Sequence, residues 1–169
     1  FVSQYVTEKE TDETFIRKML GITDRSKILE LLKLIFSGEQ KKSIKLVREM
    51  IDEGIEPSNF LNDLLEIIYF IQQKKSLGNF DSDLSISESE IEMIDEISKG
   101  VNTQTLILFW QFILKGLDEL NIVSNQLLSL EMLVIKLLHL KEMPSYEDLV
   151  NNNVLNRNVE LDVSAKEVK

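Results

Sequence analysis

The sequence of 169 residues has no cysteine, only two prolines and only six glycines. Without cysteine the chain can form neither a disulfide nor a cysteine-ligated metal site, and a reducing compartment is the simplest expectation. The scarcity of proline and glycine argues against an architecture of many strands and turns. Leu, Ile and Val dominate an apolar fraction of 43%. This composition predicts an all-α protein.

The sequence also has few basic residues, and its formal net charge is −10. Binding to a nucleic-acid duplex needs clustered Lys and Arg side chains that neutralise phosphates. The basic run formed by Lys41, Lys42, Lys45 and Arg48 is short and is followed by acidic residues, so we interpret it as a solvated helix face. We therefore expect no direct nucleic-acid contact from this chain. No uncharged run, including the one at 101–114, reaches the roughly 20 residues of a membrane span, so no membrane association is expected.

Motifs for phosphate binding and hydrolysis are missing as well. The glycines do not form GxxxxGK[ST] or GxGxxG, and no GxSxG occurs. His139 has no second histidine or cysteine with which to bind zinc, so we interpret it as a packed or peripheral residue near a helix end. The prediction is that this chain binds no cofactor or metal and is not an enzyme.

The spacing of apolar residues predicts a bundle of about five to six helices over 23–143. Caps, glycines and Pro57 place the helix ends. A short helix is predicted before the bundle, a mobile acidic loop at 76–87, and a polar, disordered tail at 144–169. The predicted helices cover about 11–20, 24–37, 39–53, 57–75, 87–100, 102–120 and 126–140.

The last two predicted helices form a strongly apolar hairpin with a turn at 121–125. In the first of these helices, apolar residues recur at intervals of three and four, so they form a stripe along one face. They are Leu106, Trp110, Ile113, Leu117 and Leu120. This periodicity places Trp110 in the core. The second is apolar over most of its circumference, so it must be covered on several sides. The hairpin is therefore expected inside the bundle, or at the seam of an assembly.

Two residues of the hairpin are unusual. Glu131 lies among apolar neighbours, so its carboxylate either binds a cation or helix-terminal amides on a neighbouring element, or lies at the solvent edge of the stripe. Gly116 lies inside a strong helix, where glycine costs about 1 kcal/mol relative to alanine. We interpret it as a point of close packing, with neutral drift as the alternative.

Three segments, in the same order, resemble one known family. They are 15–35 (FIRKMLGITDRSKILELLKLI), 45–71 (KLVREMIDEGIEPSNFLNDLLEIIYFI) and 106–140 (LILFWQFILKGLDELNIVSNQLLSLEMLVIKLLHL). The first resembles the junction where the lid of an ATPase module ends in an MLG turn. The last carries a GxxEL pattern from Gly116 to Leu120 and an LEM pattern from Leu130 to Met132. Together they resemble the third domain of the gamma/tau subunit of bacterial DNA polymerase III, a clamp-loader ATPase.

The resemblance implies that 1–22 is the end of the ATPase lid and a linker, and that 23–143 is a helical collar domain for oligomerisation. It implies a bacterial cytoplasmic protein whose collar packs against other clamp-loader subunits, namely further gamma/tau copies, delta and delta-prime. ATP, Mg and Zn would be bound only by a missing N-terminal part, and the chain, which begins with Phe1, is expected to be a piece of a longer protein. The candidate interface residues are Trp110, Ile113, Gly116, Leu117, Leu128, Glu131, Met132 and Ile135.

Two alternatives remain open at this point. A stand-alone helical adaptor would bind a partner helix in a groove. An enzyme would use Glu131 with other acidic residues around a metal.

Overall fold

The computed structural model describes residues 24–78 and 86–142. The predicted helix at 11–20, most of the predicted loop at 76–87 and the predicted tail at 144–169 lie outside these ranges. The described part is all-α, as the sequence predicted, and contains no strand. Its six helices are α1 (Arg25–Phe36), α2 (Gln40–Asp52), α3 (Pro57–Leu77), α4 (Glu88–Gly100), α5 (Thr103–Leu120) and α6 (Gln126–Glu142).

Side-chain caps begin several of these helices where the sequence predicted. The carboxylate of Asp24 accepts a hydrogen bond from the backbone N–H of Ser26 at 3.0 Å. Ser87 and Glu90 form a capping box at the start of α4. Asn102 accepts from the backbone N–H of the third residue after it at 2.7 Å, which caps α5.

Glycines follow the ends of α1 and α2. Gly38 and Gly54 have φ values of +77° and +96°. These left-handed conformations strain a residue that has a Cβ atom, and they turn the chain out of the helix. The predicted helix ends at 37 and 53 are therefore confirmed to within one residue.

The longest helix, α3, runs through the middle of the bundle and packs against α1, α4, α5 and α6. Its buried residues cover most of its circumference, and they are Phe60, Leu61, Leu64, Leu65, Ile67, Ile68, Phe70 and Ile71. The remaining core comes from single faces of its neighbours. The hairpin of α5 and α6 thus forms one wall of a core whose centre is α3.

The buried face of α5 differs from the predicted stripe at two positions, because Phe109 is buried in place of Trp110 and Gly116 in place of Leu117. Phe109 is fully buried and stacks on Phe36 of α1, with ring centroids 5.2 Å apart. Trp110, which we expected in the core, is 38% exposed. Phe109 and Trp110 point about 100° apart around the helix, and only packing against α1 decides which of them is inside.

The spacing of Ile44, Val47 and Ile51 predicts one buried face for α2, and the observed buried face is turned slightly from it. Ser43, Val47 and Met50 are buried, whereas Ile44 and Ile51 are only partly covered. Ser43 is tolerated there because its hydroxyl donates a hydrogen bond to the carbonyl of Glu39 at 2.9 Å. This rotation brings Val47 and Met50 toward α1 and α6, the helices that pack against α2.

Candidate subunit interface

One apolar surface lies on α6, and we call Leu128, Met132 and Ile135 the stripe. Leu128 is 60% exposed, Met132 is 53% exposed, and Ile135 is half-buried. They follow each other at positions i, i+4 and i+7, so they share one helix face. The opposite face of α6 packs into the core through Leu130, Val134 and Leu137. A helix that the sequence showed as apolar nearly all round therefore leaves one side uncovered by the described residues.

Ion pairs fix α6 on both sides of the stripe. On one side Glu131 binds Arg48 of α2 through two hydrogen bonds, Nε to Oε1 at 2.6 Å and Nη2 to Oε2 at 3.2 Å. On the other side Lys136 approaches Glu119 of α5 at 3.6 Å. A two-bonded guanidinium–carboxylate pair fixes orientation as well as distance. The stripe is thus held in a fixed position relative to α2 and α5.

The environment of Glu131 answers the question that the sequence left open. Its side chain is only 13% exposed, and its partner Arg48 lies at the surface. The hydrogen bonds from Arg48 lower the pKa of the Glu131 carboxyl below its usual 4.5, against the opposing effect of partial burial. Glu131 therefore binds the guanidinium group of Arg48 on α2 of the same chain.

A second apolar surface lies between α3 and α5, and we call it the groove. Its volume is about 210 Å³, and it is lined by Ile68, Tyr69, Gln72, Leu106, Ile107 and Trp110. The Tyr69 and Ile107 side chains are more than half exposed. Leu114, one turn beyond Trp110 on α5, extends the same apolar surface. The groove thus presents the aromatic side chains of Tyr69 and Trp110 beside aliphatic ones, and aromatic residues are enriched in protein–protein contacts.

The remaining candidates lie inside the bundle. Ile113 and Gly116 are buried, and Leu117 is partly buried. A Cβ atom added at Gly116 would lie 3.0 Å from Cδ2 of Leu133 and 3.5 Å from Cδ1 of Leu61. The absence of a side chain at Gly116 thus lets Leu133 of α6 and Leu61 of α3 approach α5 closely. Gly116 marks close packing within the chain, as the sequence suggested.

Sequence reasoning missed most of the groove, since Trp110 alone of its six lining residues was among the candidate interface residues. Tyr69 of α3, with Ile107 and Leu114 of α5, was absent from the candidate residues. A signal was available, because Ile107, Trp110 and Leu114 recur at spacings of three and four beside the buried face of α5. One sequence cannot tell such a second stripe from a broad core face.

Neither a metal cluster nor a membrane span is found where the structure describes the chain. No three His, Asp or Glu side chains within 24–78 and 86–142 are grouped to hold a metal ion. None of the described helices combines the length and the apolar character needed to cross a bilayer.

Comparison with known proteins places the chain in a family. Residues 11–152 match the family described as DNA polymerase III subunits gamma and tau domain III. DNA polymerase III subunit gamma of Buchnera aphidicola subsp. Baizongia pistaciae is 26% identical over 135 residues, which cover 79% of this chain and 36% of that protein. The same subunit of Buchnera aphidicola subsp. Schizaphis graminum is 27% identical over 121 residues, or 70% of this chain and 32% of the relative.

A plant protein is also similar. Protein STICHEL of Arabidopsis thaliana is 24% identical over 91 residues, covering 50% of this chain and 8% of that protein. The chain spans about a third of the length of the two gamma subunits that it matches. Because the family match covers most of the sequence and the described part is the expected all-helical bundle, the chain belongs to the family of domain III of the DNA polymerase III subunits gamma and tau.

Proposed function

We propose that this chain is the collar domain through which a gamma/tau subunit assembles into the DNA polymerase III clamp loader. The observation that carries the proposal is the exposure of large apolar side chains on α3, α5 and α6, in a chain of this family. Leu128, Met132, Ile107 and Tyr69 are each more than half exposed. Exposed apolar patches of this kind mark contacts with other proteins.

The proposed mechanism is structural. Collars of neighbouring subunits pack into a ring, and the ring holds the ATPase modules in place. ATP-driven changes in those modules then act against a fixed frame, so that the sliding clamp is opened and loaded onto primed DNA. The partners are further gamma/tau copies, delta and delta-prime, in the bacterial cytoplasm. ATP, Mg and Zn are bound by other parts of the full subunit, and the collar itself neither binds DNA nor catalyses a reaction.

The two surfaces suit a ring because they are different from each other. A closed or open assembly of head-to-tail subunits needs two unlike patches on each subunit, one for each neighbour. The stripe belongs to α6, whereas the groove belongs to α3 and α5. The enzyme alternative loses its central residue, since the Glu131 carboxylate is engaged by Arg48.

Light scattering of the chain over a wide concentration range, alone and with the other loader subunits, tests this proposal. The expected result is a mass that rises with concentration, or co-elution with the other subunits. A chain that stays monomeric alone and joins none of them would refute the collar assignment. A stand-alone adaptor would instead bind one partner helix at a fixed ratio, and its mass alone would not rise with concentration.

A further inference from the structure

We propose that Met132, in the middle of the stripe, is a site of reversible oxidation that controls whether the stripe binds a neighbouring subunit. The oxidant is a peroxide, and the product is methionine sulfoxide. The inference rests on the proposed function, because it assigns regulation to one of the two surfaces proposed to assemble the ring. Three features of the described residues carry it: the exposure of Met132, its place in the stripe, and the polar group beside it.

The first feature is the access of dissolved reagents to the residue. Met132 is 53% exposed, whereas Met50 is fully buried and Met93 is partly buried against the core. The sequence has no cysteine, so no thiol of this chain competes with the thioethers for an oxidant. Among the methionines that the structure describes, Met132 is therefore the one that a peroxide reaches first.

The reaction is the transfer of one oxygen atom. A lone pair of the Met132 sulfur attacks hydrogen peroxide, the O–O bond breaks, and an S–O bond forms. The released hydroxide takes up the proton of the transferred oxygen and leaves as water, so the sulfur loses two electrons and the peroxide gains them. The change is reversible, because methionine sulfoxide reductases return the sulfoxide to the thioether.

The second feature is the place of Met132 in the stripe. It lies one helical turn from Leu128 and one turn from Ile135, so it is the middle side chain of the three. The thioether is apolar and flexible, and it fills irregular space at a contact. The sulfoxide is polar, and burying it without a hydrogen bond opposes docking. Because Met132 lies on the face of α6 opposite the core, its oxidation weakens a contact between subunits and leaves the bundle folded.

The third feature is the ammonium group beside Met132. Lys136 follows four residues later, so its side chain lies one turn away on the same side of α6. Its Nζ atom is 3.6 Å from Oε1 of Glu119, which is long for a hydrogen bond, and an ammonium group carries three N–H donors. A sulfoxide oxygen at Met132 can accept one of these donors in the single copy. Such a bond favours the unassembled form further, because docking of the stripe would disturb it.

Peptide mass mapping after treatment with hydrogen peroxide tests the chemistry in the chain of 169 residues. Met132 should gain one oxygen atom roughly tenfold faster than Met50 and Met93, since the three thioethers differ in access to the reagent. Circular dichroism of the chain oxidised at Met132 should match that of the untreated chain. Equal oxidation rates at the three residues, or a loss of helix on oxidation of Met132, would overturn the proposal.

Sedimentation velocity, alone and with the other loader subunits, tests the effect on assembly. Oxidation of the unmodified chain should weaken association by roughly tenfold, because a polar group enters an apolar contact. Treatment with methionine sulfoxide reductases A and B, one for each sulfoxide epimer, should restore the association.

Two leucine variants assign the effect to one sulfur atom. Met132→Leu keeps an apolar side chain of similar volume without the sulfur, so its own association, whatever its strength, should not change with peroxide. Met93→Leu is the matched control, because Met93 lies outside the stripe, and this variant should stay as sensitive to peroxide as the unmodified chain. Loss of association on oxidation of Met132→Leu would contradict the assignment.

Failure of this inference and failure of the proposed function give different results. If the untreated chain assembles and oxidation at Met132 leaves its association unchanged, the inference is wrong and the proposed function stands. If the untreated chain neither self-associates nor joins the other subunits, the proposed function fails, and the regulatory role of Met132 fails with it.

Discussion

A substitution at Gly116 gives the sharpest test of how α5 and α6 pack. In Gly116→Ala the new Cβ atom would lie 3.0 Å from Cδ2 of Leu133 and 3.5 Å from Cδ1 of Leu61. The first distance is shorter than the 3.5–4.0 Å at which carbon atoms attract each other best. Leu133 is buried between helices, so its methyl group has little room to retreat.

Two opposing effects decide the result. Replacing glycine by alanine inside a helix gains about 1 kcal/mol. Overpacking a filled core costs about 1 to 3 kcal/mol. We expect Gly116→Ala to lower the free energy of unfolding by about 1 kcal/mol, since the contact with Leu133 outweighs the helix propensity. Gly116→Val, with two further methyl groups, should lower it by about 2 to 3 kcal/mol.

Urea unfolding followed by circular dichroism measures these differences. Gly100→Ala is the matched control, because Gly100 also lies in a helix, has ordinary φ, and has no atom within 4 Å of an added Cβ. This control should be neutral or stabilising. The double variant Gly116→Ala, Leu133→Ala should lose less free energy of unfolding than the two single variants lose together, because shortening the side chain at 133 makes room for the new Cβ atom. A Gly116→Ala protein as stable as Gly100→Ala would refute the close packing of α5 against α6.

Three further predictions concern single residues. Arg48 lowers the pKa of Glu131 in the folded chain, so their ion pair stabilises the fold fully above about pH 4.5, and this stabilisation is lost as the pH falls further. Between pH 7 and pH 3 the melting temperature of Glu131→Gln should therefore fall less steeply than that of the unmodified chain. Equal slopes for the two proteins would contradict this. Phe109→Ala should lower the free energy of unfolding by about 3 to 5 kcal/mol, and Trp110→Ala should lower it by clearly less. A larger loss for Trp110→Ala than for Phe109→Ala would contradict the burial of Phe109 in the core. Asn102→Ala removes the cap of α5 and should lower the free energy of unfolding by about 1 kcal/mol in the same urea assay, and no change would show that the cap is not needed.

Local signals in the sequence determine the helix ends, which is why they could be predicted closely. Asp24, Ser87 and Asn102 supply the caps, and each capping bond spans only two or three residues. Gly38 and Gly54 end helices because of their own backbone conformation. The residues that determine a helix end therefore all lie within a few positions of each other in the sequence.

Contacts between distant segments could not be predicted in the same way. The bond between Arg48 and Glu131 joins residues 83 positions apart, so the sequence could offer only a choice between a bound cation and a solvent edge. The choice between Phe109 and Trp110 depends on where Phe36 lies. Which side of α6 stays uncovered depends on how four other helices are arranged around it.

The fluorescence of Trp110 tests the central claim most directly. It is the chain's one tryptophan, it lines the groove, and it is 38% exposed in the single copy. If α5 takes part in assembly, raising the concentration should shift the emission to the blue and reduce quenching by acrylamide, in step with the rise in mass. An emission and a quenching constant that stay unchanged while the mass rises would show that the groove is not the contact between subunits.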